Sequence, residues 1–271
     1  MYKIGLSTCG NVSEEFFSNS AKAGIELVEI SAPKDVCDAI NYSDLLKWSK
    51  TYGLGLWTYH LPFLPFAEID ISNKNVSKKT VEYFTEIIKK ATDIGVNKFV
   101  IHPSGEPILD VERSEKLKTA KESLYNLAEI ASNYGAVIAV EDLPRTCLGK
   151  NSTEINDLIS VNDKLKVCFD TNHLLNENIV DFVNSVGDRI ITTHVSDYDF
   201  TDEKHWLPGE GKIDWQALLT ALKGINYCGP WLYELNLTTP KTINRSCNLT
   251  YSDFVKNANE IFKNEPISVK F

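Results

Sequence analysis

Six apolar, strand-like runs in this chain each end on a side chain able to bind a metal or move a proton. They are LGLWTYH closing on His60, KFVIH on His102, VIAVE on Glu141, LKVCFD on Asp170, IITTH on His194 and WLYE on Glu234. Strands buried on both faces are near-continuously apolar, so a carboxylate or imidazole at the end of one needs a reason. Together the six endings imply a polar site assembled where several strands finish. Glu141, Asp170, His194 and Glu234 form its central set. Three carboxylates and one imidazole offer hard, mixed oxygen and nitrogen coordination suited to Mn²⁺, Mg²⁺, Co²⁺ or Zn²⁺. Buried together without a cation, the carboxylates would repel one another. His60 and His102 either line the same site or seal its edge as neutral imidazoles.

Further candidates lie in the segments that follow these runs. His173, in FDTNH, can serve as another metal ligand, a donor to a substrate hydroxyl or a helix cap. The turn-rich HWLPGEGKIDW carries His205, a metal or substrate contact or else a surface histidine, and Trp206, an apolar wall or simple packing. Glu210 sits between Gly209 and Gly211, a spacing that suggests a tight backbone path over the site. Asp197, three residues past His194, is placed to orient that imidazole or touch substrate. Arg145, in EDLPR, is a substrate contact or a surface ion pair.

The elements that position these residues alternate from end to end. Strand patterns fall at 3–8, 26–31, 54–60, 98–102, 137–142, 165–170, 190–195 and 230–235. Helical patterns fall at 13–24, 42–52, 75–94, 112–134, 152–162, 178–187, 214–224 and 250–263, with N-caps expected at Ser13, at Ser152 or Thr153, and at Asp214. Eight βα units in 271 residues predict a single (β/α)₈ TIM barrel over 1–271. An open doubly wound sheet is the alternative, but no glycine-rich fingerprint follows the first strand. In a barrel, strand carboxyl ends meet at one mouth, and the six endings would close strands 3 to 8 there.

Composition narrows the partners. A formal net charge of −9 sets the average field against a nucleic-acid partner. Arg113, Arg145, Arg189 and Arg245 are the only arginines, which leaves few bidentate phosphate clamps. A small carbohydrate or keto-acid substrate fits better than a polyanion. No apolar stretch approaches the roughly 20 residues needed to span a bilayer, so no membrane association is expected. The start, MYKIGLSTCG, enters a strand pattern at once, and the six cysteines form no CxxC pair. Reduced thiols and a cytoplasmic location are the expectation. Barrel helices leave a homo-oligomer open.

VIAVEDLPRT, KVCFDTNH, ITTHVSD, HWLPGEGKIDW and GPWLYEL resemble the xylose isomerase-like barrel superfamily, which holds sugar phosphate isomerases/epimerases and type IV apurinic endonucleases. The resemblance spans most of the chain, is strongest from 137 to 236, and specifies the superfamily better than the reaction. In the ketose 3-epimerase branch, one divalent ion is held at the positions of Glu141, Asp170, His194 and Glu234. The resemblance implies that Glu141 and Glu234 are also the acid/base pair, and that His173 contacts substrate oxygens. The endonuclease branch carries a trinuclear zinc cluster, and His60, His102, His173 and His205 fall on its extra ligand positions. Its Asp-x-His pair appears here as Glu203-Lys204-His205. The expected function is a metal-dependent sugar isomerase or epimerase that transfers a proton next to a carbonyl. The alternatives are a sugar-derivative dehydratase or lyase, or a multi-zinc phosphodiesterase or apurinic endonuclease. A non-catalytic sugar-binding barrel would leave the four ligands without a purpose.

Overall fold

The structure, a computed structural model, describes residues 1–269. The last two residues of the expected span 1–271, Lys270 and Phe271, lie outside those described. Among the described residues the strands are β1 (Ile4–Ser7), β2 (Leu27–Ser31), β3 (Gly55–His60), β4 (Lys98–Ile101), β5 (Val137–Glu141), β6 (Lys166–Asp170), β7 (Ile190–His194) and β8 (Trp231–Tyr233). The helices are α1 (Glu14–Ala23), α2 (Lys34–Ala39), α3 (Tyr42–Tyr52), α4 (Ser77–Thr92), α5 (Asp110–Asn133), α6 (Ser152–Ile159), α7 (Ile179–Val186), α8 (Trp215–Gly224) and α9 (Tyr251–Lys263). The strands form one parallel sheet in the order β7-β6-β5-β4-β3-β2-β1-β8. It closes through a parallel bridge between Val195 and Tyr233, with the Val195 N–H donating to the Leu232 carbonyl at 2.8 Å. The expected (β/α)₈ barrel is the observed fold.

Strand alternation explains why the barrel has a polar mouth. Side chains along a strand point to opposite faces in turn. Phe99, Ile101, Ile138, Val140, Val167 and Phe169 face outward into the main core shared with the helices. Val100, Ala139 and Cys168 face inward as a small separate apolar cluster. Two residues further along the same inward faces come His102, Glu141 and Asp170. The apolar cluster lies beneath the polar layer, so the donors collect at the carboxyl end.

Two register irregularities refine this layer. β2 and β3 slip between Val28 and Glu29, leaving Trp57 as the extra residue and setting Glu29 opposite Thr58. β6 and β7 slip between Val167 and Cys168, leaving Ile191 extra and setting Asp170 opposite His194. Such bulges re-aim side chains near sites.

Several local details differ from the sequence pattern. The short α2 has Pro33 at its N-cap and shows too few turns to display a helical period. β4 and β8 stop earlier than expected, so His102 and Glu234 each sit one residue past a strand. Asn151, rather than Ser152 or Thr153, caps α6 by accepting the Glu154 N–H at 2.9 Å. The Ser152 hydroxyl instead donates to Glu177 at 2.5 Å. Ser13 and Asp214 cap α1 and α8 as their residue types suggest.

Candidate metal centre at the barrel mouth

Glu141 is the hub of the mouth. Its Oε1 lies 3.0 Å from His194 Nδ1, while its Oε2 lies 3.0 Å from His60 Nε2 and 3.2 Å from His102 Nε2. His194 Nδ1 is also 3.2 Å from Glu234 Oε2 and 3.9 Å from Asp170 Oδ2. Ligand atoms of Glu141, Asp170, His194 and Glu234 all lie within 4.8 Å of one another. The structure thus brings the four central candidates to one point, from strands far apart in sequence. His60, Glu141 and His194 form a second group meeting the same distance limit.

The electrostatics favour a cation there. Burial pushes the Asp170 carboxyl up to about 7, with Glu234 and Glu141 adding to the rise and His173 opposing it. Its Oδ1 accepts the Asn172 N–H at 2.7 Å, but its buried Oδ2 has no hydrogen-bond partner. Burial alone would raise Glu141, yet His194 and His102 hold it well below the usual carboxylate range. Glu234 falls to about 2, burial again being outweighed by His194. The two imidazoles on Glu141 Oε2 separate: burial lowers His102, whereas Glu141 overrides burial at His60 and raises it to about 9. An idle buried oxygen among three converging carboxylates and one imidazole suits a hard divalent ion.

A further donor group hangs from the loops. His173, Glu203 and His205 bring ligand atoms within 4.8 Å of one another. Glu203 Oε1 lies 2.7 Å from His205 Nε2 and 3.8 Å from His173 Nε2, and its Oε2 lies 3.0 Å from Arg145 Nη1. His173 Nδ1–H donates to the Asp142 carbonyl at 2.7 Å, and His205 Nδ1–H donates to the Glu234 carbonyl at 3.1 Å. The second bond ties the loop group to the backbone of the strand group.

The remaining candidates divide. Arg145 borders the mouth, but its guanidinium is engaged by Glu106, Asp202 and Glu203. Asp197 turns away from His194. Its carboxylate accepts from the N–H groups of Tyr198, Gly209 and Ile213 and from the Trp215 indole at 3.1 Å, fixing the loop after β7. Gly211 packs so close that a Cβ there would lie 2.3 Å from Asp197 Oδ1. Glu210 is buried against Arg245, with contacts of 2.7 and 2.6 Å, and the Trp206 indole donates to Thr242 at 2.9 Å. Those three residues build the loop and do not line the cavity.

Glu29 escaped the sequence criterion. It is fully buried, with Oε2 3.0 Å from His194 Nε2. The only signal was an acidic residue inside the second strand run, where it does not close the run.

The mouth encloses about 560 Å³, walled in part by Phe63, Phe66, Leu143 and Leu235. Phe63 stacks on His102 with centroids 4.1 Å apart. A larger groove of about 1020 Å³ between α5 and α6 contains none of the converging donors, so size alone does not mark the site.

Comparison with known proteins agrees with this architecture. The family described as xylose isomerase-like TIM barrel matches residues 17–250. An uncharacterized protein of Methanocaldococcus jannaschii is 31% identical over 242 residues, covering 84% of this chain and 81% of the relative. Inosose isomerase of Bacillus velezensis is 24% identical over 241 residues, covering 82% of this chain and 85% of the relative. The crystal structure of a D-tagatose 3-epimerase-like protein shares the fold with a TM-score of 0.81 over 97% of both chains, at 24% identity.

Proposed function

Because the chain belongs to the xylose isomerase-like TIM barrel family, we propose that it is a divalent-metal-dependent isomerase or epimerase of a small hydroxy-carbonyl carbohydrate. The observation that carries this is the convergence of Glu141, Asp170, His194 and Glu234 within 4.8 Å, with an unpartnered buried oxygen on Asp170. These four residues would hold the ion. When bound, it supplies Lewis-acid stabilisation of negative charge on substrate oxygens. The similarity to an inosose isomerase and the sugar-epimerase fold support a carbohydrate substrate.

The chain's own residues divide the work. β5 and β8 stand three positions apart around the barrel, so Glu141 and Glu234 approach the mouth from different sides. One takes the proton from the carbon beside the carbonyl, and the other returns a proton to the opposite face or the neighbouring carbon. His173 is oriented by its bond to the Asp142 carbonyl and contacts a substrate hydroxyl. The cavity volume suits a small molecule. Its aromatic and aliphatic walls suit the C–H faces of a sugar and exclude water.

A second reading, phosphodiester cleavage by several zinc ions, is favoured by one observation. The loop group of His173, Glu203 and His205 offers another set of metal donors. The charge of −9 and the engagement of Arg145 by three acids weigh against a polyanionic substrate.

Elemental analysis of protein purified without chelator, followed by a ketose and keto-polyol screen in D₂O, separates the two. One divalent ion per chain and solvent deuterium at the substrate carbon are expected. Two or three zinc ions with nicking of abasic DNA, and no exchange on any sugar, would replace the first reading with the second.

A further inference from the structure

We propose that Glu29 is a positioning residue that fixes the tautomer and orientation of His194. This inference rests on the metal-dependent reading above and names a residue outside its ligand set. His194 is fully buried and held at both ring nitrogens. Nδ1 faces Glu141 Oε1 at 3.0 Å and Glu234 Oε2 at 3.2 Å, on the side where a cation would bind. Nε2 faces Glu29 Oε2 at 3.0 Å, on the other side of the ring.

A neutral imidazole has one N–H, and only the bare nitrogen can bind a metal. With Nδ1 serving the cation, the proton belongs on Nε2, and Glu29 is the acceptor there. The Thr58 hydroxyl donates to the same Oε2 at 2.8 Å, so that oxygen is held by two donors. Thr58 reaches it because the bulge at Trp57 sets Glu29 opposite Thr58. The His60 ring, stacked on His194 at 5.7 Å and 15°, limits tilting of the imidazole about its Cβ–Cγ bond. Glu29 meets the ring nitrogen opposite to the one that faces Glu141 and Glu234, and its role is therefore to aim a ligand. Carboxylates that accept the outer N–H of a metal-binding histidine commonly act in this way.

The test reads metal binding and proton position instead of turnover. Chelator-stripped wild type, Glu29→Gln, Glu29→Ala and Thr58→Val are titrated with Zn²⁺ by calorimetry. Imidazole ¹⁵N spectra of the zinc-loaded wild type locate the His194 proton without any substitution. Expected are a proton on Nε2, a loss of about 10–100-fold in affinity for Glu29→Ala, and a smaller loss for Glu29→Gln, which keeps an acceptor oxygen. Thr58→Val is expected to lose less than either. A His194 proton on Nδ1, or wild-type affinity in folded Glu29→Ala, would overturn the inference and leave the metal-dependent function standing. Failure of the wild type to bind any divalent ion would overturn both.

Discussion

Glu141, Asp170 and His194 end strands and are 0% exposed, whereas Glu203 and His205 hang from the loop after β7 with side chains 26% and 33% exposed. The first set is placed by the ladder itself. Asp170 stands opposite His194 in the β6–β7 register, and Glu141 pairs with Cys168 across β5–β6. The second set depends on side-chain contacts between loops. Arg145 holds Glu203, the buried Arg245–Glu210 pair joins the loops after β7 and β8, and the Trp206 indole reaches Thr242. Donors on a ladder are arranged before any ligand arrives, which is what proton transfer at a fixed carbon needs. Donors on a loop are held by fewer constraints and can be lost separately.

The largest expected effect tests the strand set. Glu141→Gln or Glu234→Gln is expected to cut turnover on a confirmed substrate by about 10²–10⁴-fold, the usual contribution of a general acid or base. Steady-state kinetics checks it, and near wild-type turnover in both variants would sink the two-glutamate mechanism.

Next comes the buried pair that holds the loops. Both side chains of Arg245–Glu210 are 0% exposed, so Arg245→Ala leaves an uncompensated charge and is expected to cost about 3–5 kcal/mol. Chemical denaturation reads that loss. Limited proteolysis is expected to cut first in the segments 199–213 and 236–249, with the strand-set metal retained. Cleavage throughout the barrel would show that the two regions are not separable.

Acidity gives a subtler contrast. In metal-free protein His60 is raised from 6.5 to about 9, burial being outweighed by Glu141, and His205 is raised to about 9 as Glu203 outweighs burial. The native state therefore holds more protons than the unfolded chain between these limits, so stability falls as pH rises from about 6.5 to about 9. Melting temperature across that window is expected to decline without metal. Added divalent ion should flatten the decline, because the ion replaces the protons as the compensating charge. A metal-free curve that rises with pH would contradict the assignment.

The smallest effect belongs to the loop set. His205→Ala is expected to lower turnover by less than about tenfold, below the usual share of an acid/base group, and to leave one ion per chain. A loss matching that of Glu141→Gln, with a drop in metal content, would erase the distinction and favour the multi-zinc reading.

Much of the site was legible because ladder positions write themselves into local sequence. His60, Glu141, Asp170 and His194 each close a strand, and His102 and Glu234 lie one residue beyond theirs. Asp197, Trp206 and Glu210 are sequence candidates for substrate contact, with orientation of His194 the alternative for Asp197 and simple packing the alternative for Trp206, since polar and aromatic groups in a turn-rich loop suggest a site. Their side chains instead satisfy the loop's own amides, Arg245 and Thr242. α2 was not visible, because six residues show less than two helical turns.

By itself the sequence determined the eight βα units, the apolar outward faces and the polar residues at the strand ends, because alternation and strand length are properties of short segments. Tertiary structure decided which oxygen meets which nitrogen. Glu29 reaches His194 across 165 residues, and a register slip that no local pattern records brings Thr58 to the same carboxylate. Arg245 finds Glu210 across 35 residues, and Glu203 meets His173 only once two loops pack together. Those pairings depend on barrel closure and on burial that leaves polar groups no water to bind, so they emerge only in the folded chain.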